Sequence, residues 1–250
     1  MSAEGKEEDK DEAKAEKASQ ALDAIYSAVL QGVPKVSKPL EEFAADYLDR
    51  HESPRKAADD LVHWQIAKCG TSGFVTGLGG LLTLPVAIPA NLSSVLYVQL
   101  RMVAAIAYMG GYDVHSDQVQ TLCYLSLVGD AAADILKQTG TKVGEKMLTN
   151  AIGKVSGATL TKINQRVGFR LITKFGEKGV INLVDMLPVV GGVVGGAFDV
   201  ATTQVIAKNA LGIFLPKPEP IKVEVQAADE KDDSLPKDAA SGPNDEVAAE

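Results

Sequence analysis

Apolar residues recur with helical spacing along almost the whole chain. Leu22, Ile25, Tyr26, Val29 and Leu30 follow one another at intervals of three, one, three and one, so they share one face of a helix. Ser19 is placed to cap that helix, and Gly32 with Pro34 ends it. After Pro39 the same rhythm returns in Leu40, Phe43, Ala44, Tyr47 and Leu48. Ser53 followed by Pro54 reads as a cap with proline at the first helical position. The helix it opens carries Leu61, Val62, Trp64 and Ile66. Further helices are predicted over 91–109, stopping at Gly110-Gly111, and from Ser116-Asp117 to Gly140. Residues 142–178 form another helical region, broken near Gly153 and Gly157, and a last apolar helix runs over 188–214. No segment alternates with the period of a strand. The fold class is therefore all-α, a multi-helix bundle.

Two apolar segments depart from an ordinary amphipathic pattern. Residues 69–100 carry no charge, which is long enough to cross a bilayer, since a spanning helix needs about 20 apolar residues. Yet the segment contains Gly73, Gly77, Gly80, Pro85 and Pro89, which suit two close-packed helices better than one straight lipid-facing helix. The second segment, 186–198, is too short to span. Its glycines come in pairs four apart, Gly191 with Gly195 and Gly192 with Gly196, a spacing that lets helix backbones approach closely in lipid or in a soluble core. Leu84-Pro85-Val86 and Leu187-Pro188-Val189 open the two apolar helices alike. The reading is two Gly/Pro-rich helical hairpins, over 70–109 and 180–214, that either pack internally or dip into a membrane.

Charge is distributed unevenly. Residues 1–17 set four lysines against seven acids, and residues 217–250 set four against ten. Both read as disordered acidic tails, the first at most a frayed helix, which places the domain boundaries at 1–18, 19–216 and 217–250. The acidic start has no apolar signal region and predicts a cytoplasmic protein. Inside the body, 142–178 has eight Lys or Arg against Glu145 and Glu177. Lys162, Arg166, Arg170, Lys174 and Lys178 recur every four residues, while Leu160, Ile163, Val167, Leu171 and Phe175 keep to another side. A basic amphipathic helix of this kind is suited to anionic lipid; an ordinary solvated face is the bland alternative. Nucleic acid is not expected, because the basic excess ends with this segment and no aromatic stacking platform accompanies it.

Candidate chemistry is sparse. His51, His63 and His115 are isolated, Cys69 and Cys123 sit in apolar stretches as expected of buried free thiols, and no phosphate-binding, nucleophile-elbow or metal-ligand pattern appears. No cofactor, metal or catalytic residue is predicted. The polar residues that stand out are Asn91, Gln99, Arg101 and Asp199 in apolar helices, and Asp130 with Asp134 one turn apart. A charge in apolar surroundings must be paired or wet, so Arg101 with Asp199 is a candidate buried pair and a candidate ligand site.

Four segments carry a family resemblance: LTLPVAIPANLSSVLYVQLRMVAAIAYMGGYD (82–113), DILKQTG (134–140), VGFRLITKFGEKGVINL (167–183) and LPVVGGVVGGAFD (187–199). Together they resemble the EcsC protein family over roughly 60–215. The resemblance implies a helical protein of unassigned biochemical activity with no established catalytic set. It also implies a bacterial protein linked to an ABC-type exporter, and so a membrane-protein partner. The reading that results is a non-enzymatic accessory protein, peripheral to the inner face of the cell membrane. The alternative is a soluble helical enzyme or lipid or hydrophobic-ligand binder, with Arg101, Asp130, Asp134 and Asp199 as polar groups in an apolar pocket. A third is a membrane-perturbing protein whose hairpins convert from packed to inserted.

Overall fold

The computed structural model describes residues 3–69, 90–141, 148–175 and 193–216. Among these the chain is helical, with no strand beyond one isolated bridge between Val33 and Ser37. The helices are α1 (Ala3–Gln31), α2 (Leu40–Leu48), α3 (Pro54–Cys69), α4 (Ala90–Met109), α5 (Asp117–Val128), α6 (Ala131–Gln138), α7 (Leu148–Ile152), α8 (Gly157–Phe175) and α9 (Val193–Phe214).

Helix α4 is the axis of the bundle. Every residue from Leu96 to Ala107 is buried, the state expected of a helix that is apolar on all sides. It packs against α1, α2, α3, α5 and α9. Helix α8 instead lies on the outside, against α1, α5 and α6, and α9 packs on α3, α4 and α5. With few aromatics, the core is built mainly from Ala, Val, Leu and Ile, plus Tyr26, Tyr97 and Tyr124.

Several predicted boundaries hold and others shift. Ser116 caps α5, its hydroxyl accepting from the Val119 N–H at 3.3 Å. Gly32, at φ 76°, ends α1. Ser19, by contrast, is no cap: it lies inside α1 and is buried. The acidic segment through residue 18, expected to be disordered or at most a frayed helix, is the first part of α1, and its described side chains at 11–17 point largely to solvent. Packing begins at Ala18, so the boundary near residue 19 marks where α1 meets the core rather than where the helix starts. The helix predicted from Asp117 to Gly140 breaks in two. Gly129 adopts φ 58°, a left-handed conformation open to glycine, and the chain turns there from α5 into α6.

One close approach has no counterpart in the expected glycine pairs. A Cβ at Gly168 of α8 would lie 2.9 Å from the Ala18 carbonyl carbon and from the Ser19 nitrogen. Absence of a side chain at this position is what lets α8 seat directly on the backbone of α1.

Candidate functional site

Of the polar residues singled out in apolar helices, Arg101 is the best defined. It is 6% exposed. One terminal nitrogen donates to the Lys38 carbonyl at 2.7 Å; the other makes long contacts to the Val29 carbonyl at 3.4 Å and the Tyr97 hydroxyl at 3.5 Å. Its guanidinium carbon stands 4.3 Å from the centre of the Phe43 ring. Tyr97 extends the network, its hydroxyl 2.6 Å from the Ser37 hydroxyl, which accepts from the Val33 N–H. Burial lowers the Arg101 pKa, partly opposed by Tyr97. Arg101 thus binds the end of α1 and the link into α2 to the central helix. Its described partners are carbonyls, a hydroxyl and a ring rather than a carboxylate, an arrangement suited to holding backbone together.

The other candidates are spread over three helices. Gln99 is buried in α4. Asn91 and Asp199 belong to α4 and α9, with side chains outside the described residues. Asp130 precedes the first turn of α6 and Asp134 lies within it, both solvent-exposed, so they sit at a helix start and line no pocket with Arg101. Gly73, Gly77, Gly80, Gly191, Gly192 and Lys178 fall outside the described residues, as do the turns expected of the two hairpins. Gly195 and Gly196 lie near the start of α9.

Titratable groups in the core are quiet. Cys123 is buried and free, and burial pushes its thiol up to about 12, so it is no thiolate at neutral pH. Tyr26 donates to the Val114 carbonyl at 2.9 Å. Tyr124 donates to Asp23 at 2.9 Å, and Gln120 donates to the same carboxylate oxygen at 2.7 Å. Burial raises the Asp23 pKa despite these donors. Among the described residues no group of histidine, cysteine and acidic side chains gathers with metal-binding geometry.

Two surface features remain with chemical character. The first is the outer face of α8. Leu160, Ile163, Val167 and Leu171 are buried, and Thr161, Lys162, Arg166 and Arg170 are exposed. Lys162, Arg166 and Arg170 stand one turn apart along about 12 Å of helix. Arg166 donates to the Gln138 side chain of α6 at 2.7 Å. Asp134, one turn before Gln138, shares that side of α6, so one carboxylate adjoins the cationic row. The described apolar face of α8 is committed to the core; Lys174 and Phe175 end the helix with side chains outside the described residues.

The second feature was not anticipated. Between α3 and α9 lies an open groove of about 400 Å³. Val62, Ile66, Ala207 and Leu211 form its apolar walls. Arg55, Gln204 and Lys208 border it, and none of its described lining residues is acidic. Arg55 is already engaged, paired with Asp59 at 3.0 Å and donating to the Leu215 carbonyl at 2.9 Å. The one sequence signal for this groove is Lys208, an isolated cation in the last apolar helix; the α3 wall residues read only as helix core.

No helix among the described residues is long and apolar enough to cross a membrane. No curated protein and no solved structure matches the chain. The EcsC protein family, however, matches residues 10–214. That match reaches well before the 60–215 range of the quoted resemblance and takes in α1 and α2, the helices that Arg101 joins to α4. By this match over most of its length, the chain belongs to the EcsC protein family.

Proposed function

We propose that the protein is a non-enzymatic helical accessory protein that rests peripherally on an anionic membrane surface. The observation that carries this reading is the outer face of α8, where Lys162, Arg166 and Arg170 are presented one turn apart on a helix whose opposite face is fixed in the core. Cations held this way attract anionic headgroups without inserting, and each contributes about 1 kcal/mol near a charged bilayer. Contact would be electrostatic, reversible and weakened by salt. On this reading the partners are anionic lipid or a membrane protein complex such as exporter subunits, and the location is the inner face of a bacterial cell membrane.

Co-sedimentation of the full chain with phosphatidylglycerol-containing and pure phosphatidylcholine vesicles tests the proposal. Binding to the anionic vesicles alone, released by high salt, is expected, and Lys162→Gln/Arg166→Gln/Arg170→Gln should abolish it. Absence of binding, or equal binding by the triple variant, would refute the role of this face. Retention through a carbonate wash would also refute it, since that outcome requires an inserted segment.

A further inference from the structure

We propose that the groove between α3 and α9 binds a single-chain anionic amphiphile of the long-chain fatty acid class. The proposal goes beyond membrane contact and uses none of the residues of the α8 face.

The argument starts from Gly212. This glycine lies in the last turn of α9, where glycine still weakens a helix relative to alanine, though less than in its middle. Such a residue normally survives because a neighbouring element needs the space, as at Gly168. At Gly212 a Cβ would meet nothing within 4 Å. Among the described residues no contact accounts for it, yet it lines the groove, where a missing side chain leaves more room. The walls around it are aliphatic, and the volume falls within the usual range of ligand clefts, about 300–1,000 Å³. An open aliphatic groove of that size accommodates one hydrocarbon chain.

Charge selects the head. Among the described lining residues none is acidic, and with Arg55 already paired with Asp59, Lys208 is the described cation left to meet a ligand at the border. It follows Gln204 by one turn of α9, so an ammonium and an amide stand on the same side of the helix. A carboxylate at the mouth would accept from both, while its chain covered Ile66, Leu211 and the open position at Gly212. A neutral or cationic head would gain nothing from Lys208.

The test measures binding of palmitate, hexadecanol and hexadecyltrimethylammonium to the full chain, each below its aggregation concentration. One palmitate per chain is expected. Gly212→Leu, which fills the channel into open space, should reduce palmitate binding at least tenfold while its unfolding midpoint stays equal or rises. Lys208→Gln should weaken palmitate and leave hexadecanol unchanged. Failure of the wild-type chain to bind palmitate would overturn the proposal. So would undiminished binding by Gly212→Leu, or hexadecyltrimethylammonium binding as tightly as palmitate. The Lys162→Gln/Arg166→Gln/Arg170→Gln variant should keep its palmitate site, which separates failure of this inference from failure of the membrane reading.

Discussion

Helices α4 and α8 each place arginine in a sequence rich in aliphatic residues, and the structure gives those arginines opposite tasks. Arg101 of α4 is surrounded; its guanidinium is used by the Lys38 and Val29 carbonyls and the Phe43 ring. Arg166 and Arg170 of α8 stand on the outer face while Ile163 and Val167 fill the core behind them. A cation in an apolar helix is therefore structural when backbone carbonyls come to it and reaches the surface when the helix has a second, wet face. Hydropathy alone does not separate the two cases; the packing of neighbouring helices does.

The largest effect should come from breaking the α4 side. Arg101→Met keeps most of the volume but leaves the Lys38 and Val29 carbonyls buried without their donor. Loss of hydrogen bonds to a charged group and exposure of that penalty should cost about 3 kcal/mol. Arg101→Lys should rescue less than half, because one ammonium cannot reproduce the planar fork. Urea unfolding checks both; a loss below about 1 kcal/mol for Arg101→Met would mean that the link between α1 and α2 is held without it.

The α8 side should answer in the opposite way. Replacing Lys162, Arg166 and Arg170 with glutamine should leave stability within about 0.5 kcal/mol, as for exposed substitutions away from the core. Affinity for anionic vesicles should meanwhile fall about a hundredfold, from about 1 kcal/mol per charge. If the triple variant unfolds as readily as Arg101→Met does, the two faces do not differ as described.

How far these differences were legible in the sequence depends on where each signal resides. The Ser116 cap, the stop at Gly32 and the apolar stripe Leu160, Ile163, Val167 and Leu171 are local, and local pattern predicts them. Gly129 was overlooked because GDAAAD continues a helical composition on both sides, so nothing nearby announces a left-handed turn. Arg101 could be recognised as needing partners, but its partners lie 63 and 72 residues away along the chain, beyond the reach of any periodicity. The α3–α9 groove arises only when the two helices pack. Val62 and Ile66 look the same in a sequence whether they meet another helix or leave a channel. Glycine spacing is equally silent about long-range contact: among the described residues, helix backbones come within Cβ distance at the isolated Gly168, against α1, and at Gly110, against the end of α9.

That last contrast gives the finest test, because one substitution can be made at two helical glycines with opposite expectations. Gly168→Ala and Gly212→Ala both relieve the conformational cost of glycine, a gain of up to ~1 kcal/mol that is smaller at Gly212 because it lies in the last turn of α9. At Gly212 nothing opposes the gain, since the new methyl enters open space. At Gly168 the methyl would press on the backbone of Ala18 and Ser19, which cannot swing aside as a side chain can. Overpacking of that kind costs about 1–3 kcal/mol, so Gly168→Ala should be destabilising by about 1 kcal/mol net and Gly212→Ala mildly stabilising. Because the helical gain is the larger at Gly168, any deficit of Gly168→Ala relative to Gly212→Ala reports the contact of α1 with α8 itself. If the two alanines stabilise equally, α8 does not seat on α1 at Gly168, and the outward presentation of Lys162, Arg166 and Arg170 loses the packing that sets it.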